Sequence, residues 1–259
     1  MQEPLSINRI GTPFIELQSV DSTNNYARAQ LHAELAPHGT AVFAHEQVAG
    51  KGQRGRVWLS EKDQNIALSV VIRPVPLAVS NPFPLTACMA VAVHDFFAGY
   101  AGEEVCIKWP NDLYWRDRKA GGILIESGIG APGKNKGVPA WEWAVAGIGI
   151  NINQVRFPEH LPNPVSLRQI TGKMMEPVVL AKELCSKLDL YYSLLARGEW
   201  EPIQTRYLAH LYRKNEWVKF RKDNRLFEAR VITVTPDGKL VVQHGMEETF
   251  RFGEVEWIT

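Results

Sequence analysis

The sequence predicts an α+β protein: a mixed sheet with helices packed against it, followed by a small β-barrel. Through residues 1–210, short apolar runs rich in β-branched residues alternate with segments of helical spacing. From residue 211 onward the texture changes to strands and turns only. The 259 residues, 45% of them hydrophobic, suffice for one large core and a small second domain, drawn here as 1–210 and 211–259.

Taken in order, Phe14 to Gln18 reads as a strand, and Asp21 or Ser22 caps a helix through Tyr26, Ala27 and Leu31. Thr40 to Ala44 and Ile66 to Arg73 read as strands, the second apolar enough to be buried on both faces. Pro82 and Pro84 introduce an apolar helix around Thr86 to Phe97. Val105 to Trp109, Gly122 to Glu126 and Trp141 to Ile148 are strands, the last two joined by the Gly/Lys-rich GIGAPGKNKGVPA. Ser166 is the expected N-cap of a helix carrying Leu180, Leu184, Leu188, Tyr191 and Leu195 at helical spacing, with Gly198 as its C-cap. A short helix near Ile203 to Leu211 precedes the strands EWVKF, FEARVITV, KLVVQ and TFRFGEVEWI.

Composition excludes more than it assigns. A net charge of +1 gives no global attraction to nucleic acid or membrane. Cys88, Cys106 and Cys185 lack any CxxC spacing and fit reduced thiols, and the seven histidines show no metal-ligand or triad spacing. The opening MQEPLSINRI has no leader pattern, and no apolar run approaches the ~20 residues of a membrane span. A cytoplasmic protein without a membrane partner is expected.

Four stretches call for chemistry. In AGKGQRGRVW, Gly50, Gly52 and Gly55 interleave with Lys51, Arg54 and Arg56 ahead of Trp58. Glycines let backbone N–H groups approach an anion and guanidinium forks match its oxygens, although a basic hairpin tip has the same composition. DSTNN, Asp21 to Asn25, offers more short polar side chains than one helix cap needs, and the surplus suits a small ring carrying donors and an acceptor. In KWPNDLYWRDRKAGGILIES, Asn111 and Asp112 follow a strand that Pro110 ends, where Asp112 is a candidate Mg²⁺ ligand; a hairpin with a charged turn accounts for Arg116 to Lys119. In AGIGININ, Gly147 and Gly149 interrupt an apolar strand, which implies either close approach to the backbone or a bulge.

In this order, DSTNN, EQVAGKGQRGRVW, KWPNDLYWRDRKAGGILIES and GIGININ resemble the successive motifs of biotin protein ligases. The resemblance implies a core like that of class II aminoacyl-tRNA synthetases over 1–210 and an SH3-like domain over 211–259. It further implies a two-step reaction, in which biotin and ATP, with Mg²⁺, give biotinyl-5′-adenylate and the lysine of a biotin carboxyl carrier protein then accepts the biotinyl group.

Residue by residue, the resemblance sets Ser22, Thr23, Asn24 and Gln47 around the biotin ring, with Lys51, Gly52, Gln53 and Trp58 closing over it. Arg54, Gly55 and Arg56 fall to the adenylate phosphate, with Lys108, Asn111 and Asn151 on the ATP side and Asp112 on the metal. Lys119, with Arg54 and Arg56, carries the catalytic charge, and Gly122, Gly147 and Gly149 line the pocket. Phe157 is the candidate adenine cap. Lys51 and Gln53 stand where many members carry arginine, which leaves the tightness of loop closure open. Some members are also repressors with an N-terminal winged helix; only twenty residues precede Asp21 here, so no DNA partner is expected. A homodimer is neither required nor excluded. The alternatives are a lipoate ligase of the same fold and a non-catalytic nucleotide- or RNA-binding module using the basic residues between Arg206 and Arg230.

Overall fold

The eight residues Asn65–Ile72 (β3) are buried throughout, as their nearly continuous apolar character requires, and they lie inside the larger sheet, with strands on both sides. The computed structural model describes residues 8–74, 77–78, 80–129 and 141–258. Around β3 are Phe14–Leu17 (β1), Ala41–Ala44 (β2), Val105–Lys108 (β4), Asp112–Trp115 (β5), Arg118–Ile129 (β6) and Trp141–Asn151 (β7). Their order is β1-β2-β3-β7-β6-β5-β4; β1 and β2 run parallel and the other pairs antiparallel, so the sheet is mixed. Most of the Gly/Lys-rich connection between β6 and β7 lies outside the described residues.

One face of this sheet carries the main core. Ile66, Leu68, Val70, Ile72, Ala144, Ala146, Ile148 and Ile150 pack there against helices Phe83–Ala101 (α2) and Pro177–Ala196 (α4). The α2 segment is apolar on nearly all sides, and it stops at Gly102, whose φ of +80° an L side chain resists. On the other face Thr23–His32 (α1) packs at the β2–β3–β7 end, setting Ala27 over Val42, Val71 and Val145.

The structure corrects the expected helix start. Ser166 caps only the short helix Leu167–Thr171 (α3), through a full capping box with Gln169, and the long helix α4 begins separately with Pro177 in its first turn. Gly198, φ +79°, follows the end of α4 as expected. Trp200–Ala209 (α5) leads into a five-stranded antiparallel sheet of Trp217–Lys222 (β8), Arg225–Val234 (β9), Leu240–His244 (β10), Met246–Phe250 (β11) and Glu256–Ile258 (β12), ordered β11-β10-β9-β8-β12. TFRFGEVEWI is therefore two strands, not one. A mixed sheet with packed helices, followed by a small antiparallel β-unit, is the α+β architecture expected. No helix among the described residues is long and apolar enough to cross a membrane.

One ion cluster ties the residue after β2 to β1 and to the segment before β3. His45 Nδ1 lies 2.7 Å from Asp63 Oδ1 and its Nε2 2.9 Å from Glu16 Oε1. The bond to Glu16, followed by that to Asp63, raises the imidazole's pKa against the opposing effect of burial. Because the folded-state value lies above the unfolded one of about 6.5, the cluster's contribution is complete below that pH and is lost as pH rises through the folded value. His45→Gln is therefore expected to lower the urea midpoint at pH 5.5 more than at pH 9. Equal losses at both pH values would show that the charge contributes nothing.

Candidate functional site

The register of the larger sheet explains the glycines. Gly122 pairs directly with Gly149, and Gly147 stands two residues along β7, so these three share the sheet face on which α1 packs. There is no bulge at Gly147 or Gly149, and each lies beneath a side chain from a distant segment. A Cβ on Gly147 would lie 2.4 Å from Asn24 Oδ1, and one on Gly149 would lie 2.4 Å from the Trp58 ring. A Cβ on Gly122 would lie 3.1 Å from Asp112 Oδ1 and 3.4 Å from Lys119 Nζ. The strip is a floor with a polar cluster at one end and an ion pair at the other.

The polar cluster is built from the start of α1. Ser22, Thr23 and Asn24 are all buried, and Ser22, the N-cap, makes no side-chain capping bond. The Thr23 N–H and hydroxyl both donate to Gln47 Oε1, at 2.8 and 3.0 Å. Ser69 Oγ lies 2.6 Å from Asn24 Oδ1 and 2.7 Å from Thr23 Oγ1, while Asn24 Nδ2 donates to Glu126 Oε2 at 2.8 Å. Gln47 thus spends its oxygen inside the protein, while among the described residues its NH₂ group and the Ser22 hydroxyl have no side-chain partner. Such a set suits a ring with a carbonyl flanked by N–H groups.

The Gly50–Trp58 loop folds as a tight hairpin across the floor. Lys51 bridges Val57, Gly52 N donates to Arg56 O at 2.7 Å, and Trp58 N donates to Gly50 O at 2.9 Å. A 3₁₀ turn at Gln53–Gly55 closes it, with Arg54 and Gly55 at φ +56° and +74°. The half-buried Trp58 lies on Gly149, and its buried indole N–H has no partner among the described residues. Lys51 Nζ donates to Asn25 Oδ1 at 2.5 Å and stands 3.8 Å from Glu126. Arg54 turns away to Phe252 and Gly253 of the second sheet. Arg56 is exposed and has no ion-pair partner among the described residues.

At the charged end, Lys119 Nζ lies 2.7 Å from Asp112 Oδ1, each side chain about a third exposed. Lys119 lies within β6, not in a turn, because Asp112–Trp115 forms a strand of its own and the hairpin turns at Arg116 and Asp117. Its backbone is held from the far side, its N–H donating to Asn163 O at 2.8 Å and its carbonyl accepting from Val165 N at 2.9 Å. Asn111 Nδ2 donates to Ile123 O, and Asn151 Nδ2 donates to Val165 O at 3.1 Å, so both amides brace backbone around the ion pair.

Lys108 is buried, its Nζ 3.2 Å from the Tyr114 hydroxyl and over the rings of Tyr114, Tyr212 and Trp257 at 4.7, 5.5 and 5.5 Å. Burial lowers its pKa to about 8, with Asp112 opposing. This ammonium joins the two sheets. Phe157 is half-buried in the irregular segment after β7.

Among the described residues no group of three or more His, Cys, Asp or Glu side chains is placed to hold a metal. One carboxylate, Asp112, beside a buried amide suits Mg²⁺ that arrives on substrate phosphates better than a resident ion. The basic stretch of the second sheet is largely neutralised: Arg213, Lys219, Arg221 and Lys222 lie within 4 Å of Glu216, Glu228, Glu256 and Glu248. That leaves little of the unpaired positive stripe an RNA backbone requires.

Residues 16–137 match the model of the biotin/lipoate A/B protein ligase family. The biotin–[acetyl-CoA-carboxylase] ligase of Paracoccus denitrificans is 32% identical over 211 residues, which is 77% of this chain and 81% of that one. The chain belongs to this ligase family. Its relatives include the bifunctional ligase/repressor BirA of Bacillus subtilis, 29% identical over 90% of this chain and 70% of that protein. In fold the ligase is similar to the biotin protein ligase from Aquifex aeolicus in complex with biotin and ATP, with a TM-score of 0.78, 22% identity and coverage of 95% and 98% of the two chains.

The four motifs read from the ligase's sequence converge on one face of the sheet. Ser69 and Glu126, which orient Asn24, were missed. A serine inside an otherwise apolar buried strand and a carboxylate on the same face as Gly122 were the available signals.

Proposed function

We propose that this chain is an ATP-dependent biotin protein ligase, which joins biotin and ATP to biotinyl-5′-adenylate with release of pyrophosphate and then passes the biotinyl group to a lysine of a biotin carboxyl carrier protein. The observation that carries this reading is the glycine floor, with spare amide and hydroxyl groups at one end and the Lys119–Asp112 pair at the other.

Ser22, Thr23, Asn24 and Gln47 hold the ureido ring, and Trp58 walls the pocket over Gly149. The carboxylate tail of biotin then runs past Trp58 towards Gly122 and Lys119. Its oxygen attacks the α-phosphorus, pyrophosphate leaves, and Lys119 and Arg56 offset the negative charge that collects there. Mg²⁺ held by Asp112, with Asn111 beside it, would supply further charge neutralisation on the phosphates. In the second step the neutral amine of the carrier lysine attacks the acyl carbon, AMP leaves, and the amine's proton passes to solvent. The aligned Lys119 ammonium assists departure of AMP.

The test is incubation of the full chain with ATP, Mg²⁺ and a purified carrier domain, with biotin or lipoate, read by intact mass. The carrier is expected to gain one biotinyl group and no lipoyl group. Gain of lipoyl alone would move the chain to lipoate ligation, and gain of neither would remove the ligase reading.

A further inference from the structure

We propose that the Phe252–Gly253 turn of the second sheet is the receiving site for Arg54, and that this contact positions the Gly50–Trp58 loop so that the acyl-adenylate is kept for the carrier lysine. The proposal rests on the ligase reading for its consequence, and on geometry alone for the contact.

Arg54 stands at the apex of the loop with its guanidinium carbon 5.1 Å from the centroid of Phe252. Its Nη1 and Nη2 reach the carbonyls of Gly253 and Phe252, both at 3.4 Å. Gly253 is required there on two counts. Its φ is +88°, and a Cβ on it would lie 1.3 Å from Arg54 Nη2, so any larger residue would occupy the space the guanidinium fills. Phe252 in turn meets the buried Trp109 edge to face at 5.9 Å, and Trp109 Nε1 donates to Gly238 O at 2.9 Å. Trp109 lies three residues before Asp112. A continuous set of contacts therefore runs from the loop apex, through the second sheet, to the strand end that carries the ion pair.

At its base the same loop is fastened to α1 and β6, through Lys51 on Asn25 and beside Glu126. Two of the three loop cations are thus engaged by protein, and Arg56 is left to meet the anion. Each fastening is exposed and weak, as a loop that must open for substrate entry requires. Without the apex contact, the glycines of the loop would favour its open states.

The experiment compares wild type, Arg54→Ala, Phe252→Ala and the double variant as full chains. Phe252 is 45% exposed, so its removal spares the core. Hydrogen exchange over residues 50–57 is measured without ligand. Adenylate escape is measured as biotinyl hydroxamate formed with hydroxylamine, relative to transfer to the carrier. Each single variant is expected to raise exchange and escape about 3- to 10-fold, with the double variant no worse than either single, and Phe252→Tyr is expected to restore both. Unchanged exchange in Phe252→Ala, or additive effects in the double variant, would overturn the contact. Faster exchange with unchanged escape would overturn its role in retention. If wild type makes no adenylate, the ligase reading fails and the exchange measurements still decide the contact.

Discussion

Lys119→Ala is expected to slow biotin-dependent pyrophosphate exchange by about 10²- to 10³-fold while weakening biotin binding far less, because its ammonium acts where charge gathers during phosphoryl transfer. The fold should survive. Lys119 is about a third exposed, its backbone is held by Asn163 and Val165, and a partly exposed ion pair of this kind contributes only about 0–1 kcal/mol. Truncation also leaves the Asp112 carboxylate unpaired beside the incoming phosphates, which adds repulsion. Asp112→Asn separates the two effects: it should raise the Mg²⁺ requirement and leave the Lys119 charge available. Transfer from supplied biotinyl-adenylate reports the second step on its own. A folded Lys119→Ala protein with wild-type rates in both steps would remove the role, and a defect confined to biotin affinity would reassign Lys119 to binding.

Most of the fold was legible because its main signals are local. The nearly continuous apolar run of β3, the proline ahead of α2 and the glycine after α4 each act within a few residues. The failures came where a local signal had two readings. Ser166 is a strong N-cap, but the helix it starts lasts only to Thr171, and Pro177 starts the longer one. Asp112–Trp115 is too short, and too close to the charged Arg116–Asp117 turn, to announce itself as a strand; this turned Lys119 from a strand residue into an apparent loop residue.

The site was legible in composition and illegible in pairing. Glycines inside β7 signal that something approaches the backbone, yet nothing local says that the visitors are Asn24 and Trp58. The loop cations signal an anion, but Arg54 has its partner 199 residues away and Lys51 has its own on α1. Charge is written in the sequence; the group it faces is set by tertiary structure. The same holds for Lys108, read as an ATP contact and found among Tyr114, Tyr212 and Trp257, two of which come from the far end of the chain.

Gly147→Ala tests the floor directly, because one methyl group there has nowhere to go. Its Cβ would lie 2.4 Å from Asn24 Oδ1 and 2.9 Å from Cγ, inside any real contact distance. Asn24 cannot swing aside freely, since its oxygen is bonded to Ser69 and its nitrogen to Glu126, which also stands 3.8 Å from both Arg28 and Lys51. Either these two hydrogen bonds break or the centre of the sheet shifts. Overpacking of this kind costs about 1–3 kcal/mol of stability. Losing the two bonds that orient Asn24 corresponds to roughly 10- to 100-fold weaker biotin binding. The KM for ATP should move much less, since Lys119 and Asp112 meet Gly122, not Gly147. Gly99 supplies the control of opposite sign: it is exposed near the end of α2, and a methyl group added to it would meet no atom within 4 Å. Its replacement by alanine should stabilise the protein by about 0.5–1 kcal/mol and leave both KM values unchanged. Calorimetry and steady-state kinetics on the two variants decide the matter: a Gly147→Ala protein with wild-type biotin KM would mean that Asn24 does not face the biotin ring.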